Sequence, residues 1–392
     1  MWIPVSADEI EARVADRSLD ENAYFDAKRD LGGKNKDIAK DVTAMANNGG
    51  VLVYGIGEDE HNRPTILAPI VLRGQRERID AVVHTSVAPP PEIRIDEHPL
   101  ASDPELGYLV VAVPASPQAP HMVMADKDNR YYQRMETQSV PMPEGEVSRL
   151  YERRQRWEVD REQLLSQAVE RNQRIWPPDP NFADLHVVVR PVAATPSMID
   201  EMVPDADPQI FLLNLLVQAR HVFSSSSYHP DLTPQGGWYP RDGGWRAGSH
   251  PQERSRQNIV DLTVTERGIG YFFCGCAGDH LREGDPYLLL LEDLVAGLTT
   301  RTLFILGSLY KAARYLGPVD VGVAVTGLSG YPLYSAHPEY RNLVGQPLPR
   351  TEDYRRTARV LAHELEANPR RISRSLVLPL IHQVTSGAYD PY

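Results

Sequence analysis

Between Glu21 and Asp59 the chain reads ENAYFDAKRD, then an amphipathic stretch, then MANNGGVLVYGIGED. Val51–Ile56 is the tightest constraint in it. Its one polar group is the Tyr54 hydroxyl, so as a strand it must be central and covered on both faces. Asn48-Gly49-Gly50 stops the preceding helix. That helix is predicted over Asn35 to Asn47, with Ile38, Val42, Met45 and Ala46 as its buried stripe and Lys36 and Lys40 facing outward. Upstream, Tyr24–Lys28 reads as a strand. Asp26 and Lys28 are two apart and share a face. Glu21, five residues before Asp26, has the opposite parity, so it joins Asp26 only from a preceding loop or bulge.

Carboxylates at the ends of two strands with a lysine beside them are the parts of a divalent-metal phosphodiester site. Glu21 and Asp26 flank the first strand, and Glu58 and Asp59 leave the second. The same acids also suit an ordinary solvated rim. Lys28 either assists at a phosphate or pairs with Asp26.

The rest of the first half supplies a small α+β domain. Ser6 and Glu9 form a capping box for a helix over residues 7–16. A helix is expected at Gln75–Val87, ended by Pro89-Pro90-Pro91, then strands at Glu92–Asp96 and Tyr108–Val113. Two short strands flank a DKDN turn near residues 126–129. A charged helix over 144–175, carrying Trp157 and Leu164 on its apolar side, connects to a second α+β domain. There the reading is strand Leu185–Val189, helix Pro208–Phe223, a polar stretch with SSSS and Gly236-Gly237, and strands Ile259–Val264 and Tyr271–Cys276. A long helix Tyr287–Leu316, strand Val319–Val325 and a charged helix Asp353–Ala367 follow. The domains are therefore 1–150, a connecting helix 151–178, and 179–392.

Composition narrows the function. A net charge of −12 argues against a general nucleic-acid coat but leaves room for a local basic groove. No apolar run is long enough to span a bilayer and no signal peptide is apparent, so a cytoplasmic protein is expected. Cys274 and Cys276, the two cysteines, lack a second pair for zinc and read as reduced core residues. The second half shows no GxSxG, HExxH or Walker A pattern.

The order E-x4-D-x-K, A-M-A-N-N-G-G, V-L-V-Y-G-I-G-E-D, P-H and R-Y-Y-Q-R, over about residues 19–150, resembles the AlbA-like domain of Schlafen proteins. That resemblance implies a mixed α+β nucleic-acid-binding module. It also implies three carboxylates holding Mg²⁺ or Mn²⁺ and cleaving RNA, notably tRNA. By motif position these are Glu21, Asp26 and Glu58, with Asp59 as the alternative third acid and Lys28 assisting. Asp26 stands where the family has Glu, and Glu58 where it has Asp. Lys28, Arg29, Lys36, Lys40, His121 and Arg134 are the candidate contacts to RNA or DNA. A non-catalytic DNA-binding regulator and a protein-interaction scaffold are the alternative functions. The second domain is read as a sensor, assembly or substrate-positioning unit, a route to homo-oligomers.

Overall fold

The computed structural model describes residues 2–61, 63–192, 198–203, 207–223, 238–241, 243–249, 255–280, 285–341, 345 and 347–392, with 156–159 described by backbone only. The SSSS and Gly236-Gly237 stretch and the Trp157 side chain lie outside the described residues. The chain divides into two compact units, 1–158 and 159–392. The division falls inside the charged helix. The fold is α+β.

In the first unit, helix α1 (Ala7–Ala15) is capped by Ser6, whose Oγ accepts from Glu9 N–H at 3.2 Å. Strand β1 (Phe25–Lys28), helix α2 (Asn35–Ala46) and strand β2 (Gly50–Tyr54) follow. β1 and β2 are parallel, with Asp26 opposite Leu52 and Lys28 opposite Tyr54. The α2 crossover supplies the length a parallel pair requires. Ile38, Ala39, Val42, Met45 and Ala46 of α2 pack with Leu52 and Tyr54 in one core. Gly49 ends the helix at φ +84°, its N–H bonded to Met45 C=O at 2.8 Å. A Cβ on Gly50 would stand 2.2 Å from the Met45 sulfur. The Gly-Gly pair thus provides both the left-handed stop and the close helix-to-strand approach.

The predicted single strand Val51–Ile56 is two. Gly55, at φ +107°, turns the chain out of the sheet, and a Cβ there would meet the Tyr108 ring at 2.7 Å. Strand β3 (Ile56–Glu58) then pairs with β4 (Pro64–Leu67) as a separate hairpin. Strand β5 (Ile70–Val71), helix α3 (Gln75–Ser86), β6 (Val87–Ala88), β7 (Arg94–Pro99) and β8 (Leu106–Val113) come next. The main sheet runs β1-β2-β8-β5, with β7 also on β8. Strands β9 (Met122–Val123), β10 (Arg130–Met135) and β11 (Gln138–Pro141) form a second sheet in the order β11-β10-β9-β6. Buried Asn47 donates to Tyr132 C=O at 2.7 Å, tying the end of α2 to β10.

Helix α4 (Glu144–Ile175) runs across the division. Its Leu164, Leu165, Ala168 and Val169 pack on Val188 and Ala324 in the second unit. The second unit contains β12 (Phe182–Pro191), α5 (Met198–Met202), α6 (Pro208–Val222), β13 (Trp238–Arg241), β14 (Gly244–Gly248), β15 (Val260–Val264) and β16 (Gly270–Asp279). After them come β17 (Leu288–Leu290), α7 (Glu292–Ala312), β18 (Pro318–Thr326), β19 (Leu333–Ser335), α8 (Pro338–Arg341), β20 (Tyr354–Leu361), α9 (Ala362–Ala367) and α10 (Pro369–Thr385). Nine strands form one sheet, seven along β13-β14-β15-β16-β12-β18-β20, with β17 paired to β16 and β19 to β17, and α7 and α10 contribute to the large core on it.

Two assignments differ from expectation here. Asp353–Ala367 is not one charged helix: Tyr354–Leu361 is strand β20, and only its tail is helical. Pairing along the whole of β18 overrides the helical composition of YRRTARVL, and Arg359 finds Asp320 across the ladder at 2.7 Å. The long apolar helix starts later than expected, because Leu288–Leu290 joins the sheet first. Cys274 and Cys276 are buried and free.

Candidate nucleic-acid interface

Asp26 and Lys28 lie on one face of β1, with α2 and the β10–β11 hairpin around them. Asp26 is wholly buried. Lys28 Nζ lies 3.0 Å from each carboxylate oxygen of Asp26. The Arg134 guanidinium, on β10, approaches the same carboxylate at 3.0 Å and Glu21 at 4.0 Å. Glu21 reaches the pair from the loop before β1, as its parity requires, and its Oε1 accepts from Ala27 N–H at 2.9 Å. Two carboxyl groups thus stand against each other with two cations beside them.

Burial, and then the charge of Asp26, push the Glu21 carboxyl up to about 7, despite the Ala27 hydrogen bond and Lys28. Burial works against the Lys28 ammonium, but Asp26, Asp41 and Glu21 outweigh it and hold its pKa above the ordinary value. Asp41, on α2, completes the surroundings. Its carboxyl is raised, chiefly by burial, although Lys28 lowers it, and its Oδ1 accepts from Ser139 Oγ at 2.8 Å. Asp41 is not among the candidate residues read from the sequence. The i, i+3 step from Ile38 on the buried stripe to Asp41 was the signal for an inward-leaning acid.

The other candidates separate. Glu58 is exposed on the β3–β4 hairpin, which Gly55 turns away from the sheet. Asp59 Oδ1 accepts from the N–H groups of His61 at 2.8 Å and Arg63 at 3.0 Å, and these backbone bonds hold its carboxyl low. It serves the hairpin turn. Among the described residues no three His, Cys, Asp or Glu side chains group to hold a metal ion. With Asp26 neutralised by Lys28 and Arg134, and Glu58 outside the cluster, Glu21, Asp26 and Glu58 do not fit Mg²⁺ or Mn²⁺ in this arrangement.

His121 is buried, 1% exposed, so it is not presented to a nucleic acid. Its Nδ1 lies 2.6 Å from Pro89 C=O, and burial lowers its pKa to about 4. Arg134, 3% exposed at its side chain, is committed to Asp26 rather than free for phosphate. Lys36 pairs with Asp128 at 3.0 Å. Arg29 is exposed, and neither Arg29 nor Lys40 is ion-paired among the described residues.

Beside the cluster lies a cleft of about 430 Å³. Lys28, Asp30, Asp37, Lys40, Asp41 and Tyr54 line it from the β1, α2 and β2 side, and Arg134, Thr137, Gln138 and Ser139 from the β10–β11 hairpin.

No curated protein matches the chain. Residues 21–143, which hold the cluster, the cleft and every strand of the first unit, match the family model described as Schlafen, AlbA_2, and that stretch of the chain is a Schlafen AlbA-like domain.

Proposed function

We propose that the first domain binds RNA or single-stranded DNA over the loop from β1 to α2 and the mouth of the cleft. A Schlafen AlbA-like domain points to nucleic acid as the partner. The observation that carries the local reading is the placement of cations. Arg29 and Lys34 are exposed on that loop and Lys40 lines the cleft, and none is ion-paired among the described residues. In a chain of net charge −12 they make a local track for phosphates. No helix among the described residues is long and apolar enough to cross a membrane. The test is binding of labelled tRNA, single-stranded DNA and duplex DNA at rising salt. Affinity should fall steeply, and Lys40→Glu should weaken all ligands and flatten the salt slope by about one phosphate contact. Salt-independent binding, or none, would refute the reading.

Phosphodiester cleavage is a second reading, favoured by the Glu21–Asp26 carboxyl pair. A carboxyl that exchanges its proton at about pH 7 suits general acid–base work on a ribose hydroxyl or a leaving oxygen. Lys28, beside the pair and partly exposed, can balance charge on a phosphate, while Arg134 stays on Asp26. Among the described residues no cluster of acids gathers to hold a divalent ion, so the assay on total tRNA is run both with Mn²⁺ and with EDTA. Loss of cleavage in Glu21→Gln with binding retained would support the role of the pair. Intact tRNA under every condition would remove it.

A further inference from the structure

We propose that the cleft between α2 and the β10–β11 hairpin takes one unpaired nucleobase by its amino-bearing edge. Asp41 and Tyr54 are its recognition groups, giving preference for cytosine over uracil. The proposal rests on the binding function above and specifies its ligand.

Three observations point to a base rather than a phosphate. The lining carries Lys28, Lys40 and Arg134 against Asp30, Asp37 and Asp41, three charges on each side. Lys28 and Arg134 are already held by Asp26 at 3.0 Å. The interior therefore has no net attraction for an anion, and its carboxylates repel one. Second, Tyr54 lines the cleft while only 3% exposed, and its hydroxyl makes no hydrogen bond to the described residues. The hydroxyl opens onto the cleft, where it is free to donate to a ligand. Third, among the described residues Asp41 is hydrogen-bonded through Oδ1 alone, to Ser139. Its Oδ2 is left to accept from an incoming N–H.

A carboxylate acceptor next to a phenol donor matches a base edge that pairs an exocyclic amino group with a ring or keto acceptor. Carboxylates read the cytosine amino group in this way. Uracil presents a keto oxygen at the same place, and a carboxylate repels it. A volume of about 430 Å³ suits one base with its sugar, as in small-molecule sites. The Watson–Crick edge must be free to enter, so the ligand is single-stranded or has an extruded base. Lys40, at the same cleft, is placed to meet the adjoining phosphate.

The test uses the full chain and fluorescence anisotropy with labelled oligo(C) and oligo(U) RNA of equal length. Wild type should bind oligo(C) roughly tenfold tighter. Asp41→Asn should reduce the preference to within about threefold without weakening oligo(U), because an amide offers a donor to the keto group. Tyr54→Phe should also narrow it. Cytidine monophosphate should displace labelled oligo(C) from wild type at lower concentration than uridine monophosphate, a readout that needs no variant to fold. Equal affinity for both oligomers with equal displacement by both nucleotides overturns the base site while leaving nucleic-acid binding standing. Failure to bind either oligomer overturns both. An Asp41→Asn protein that folds and keeps the full preference overturns the assignment to Asp41.

Discussion

Glu21→Gln should stabilise the first domain at pH 8 and leave it nearly unchanged at pH 5. Glutamine is a neutral stand-in for the protonated acid. It can still accept from Ala27 N–H and donate toward Asp26, contacts that sit at 2.9 Å and within the carboxyl pair. The folded Glu21 carboxyl is raised from 4.5 to about 7, so the folded state holds a proton that the unfolded chain releases. Stability from this group is fully present below pH 4.5 and is lost as pH rises through about 7. A shift of that size is worth about 3 kcal/mol at most, and about 2 kcal/mol once partial solvent screening is allowed for. Hydrogen exchange at the Ala27 amide reads the local stability directly, with wild type and variant compared at the same pH. Protection in the variant should exceed that of wild type by about 2 kcal/mol at pH 8 and match it at pH 5. A variant less protected at both pH values would refute the reasoning. Glu21 would then be an ionised anchor for Arg134 rather than the acid of a carboxyl pair.

Arg134→Leu removes one cation from wholly buried Asp26 while Lys28 stays on both its oxygens. A loss of about 2 kcal/mol in urea unfolding of the first domain is expected, below the cost of a pair broken outright, and no change would mean that Lys28 suffices. Gly55→Ala should cost about 2 kcal/mol or more, because φ is +107° and the new methyl meets Tyr108 at 2.7 Å. Thermal melts that match wild type would contradict the turn at this position. In the second unit, burial holds the His186 imidazole neutral, its pKa lowered from 6.5 to about 3, with Thr326 Oγ1 at 3.0 Å from Nε2. Its contribution is fully present above pH 6.5 and is lost as pH falls toward 3, on the order of a few kcal/mol. His186→Gln should therefore flatten the acid limb of unfolding for that unit, and an unaltered limb would place the acid sensitivity elsewhere. Glu58→Gln, at an exposed hairpin position, should leave stability within about 0.5 kcal/mol of wild type, as melting curves can check.

The sequence by itself determined the framework of the first domain. The apolar stripe of α2, the Gly-Gly stop and the uninterrupted apolar run after it place β1, α2 and β2, because each signal is local and the physical cause acts within a few residues. The family pattern carried by those blocks was legible for the same reason. Parity along β1 also set the terms on which Glu21 meets Asp26, and the preceding loop meets them. The tertiary structure alone decided what the charges do. Gly55 reads as one more glycine in a strand, yet the ring of Tyr108, more than fifty residues on, fills the space a side chain would need and sends Glu58 into a hairpin. Arg134 and His121 look like surface contacts in sequence. Packing buries both, against Asp26 and Pro89 C=O. Asp41 gained its place because α2 lies over β1 and β2, and β20 became a strand because β18 offered a full ladder. Charge and ladder partners distant in sequence set these outcomes, and no periodicity of the chain records which partners will meet.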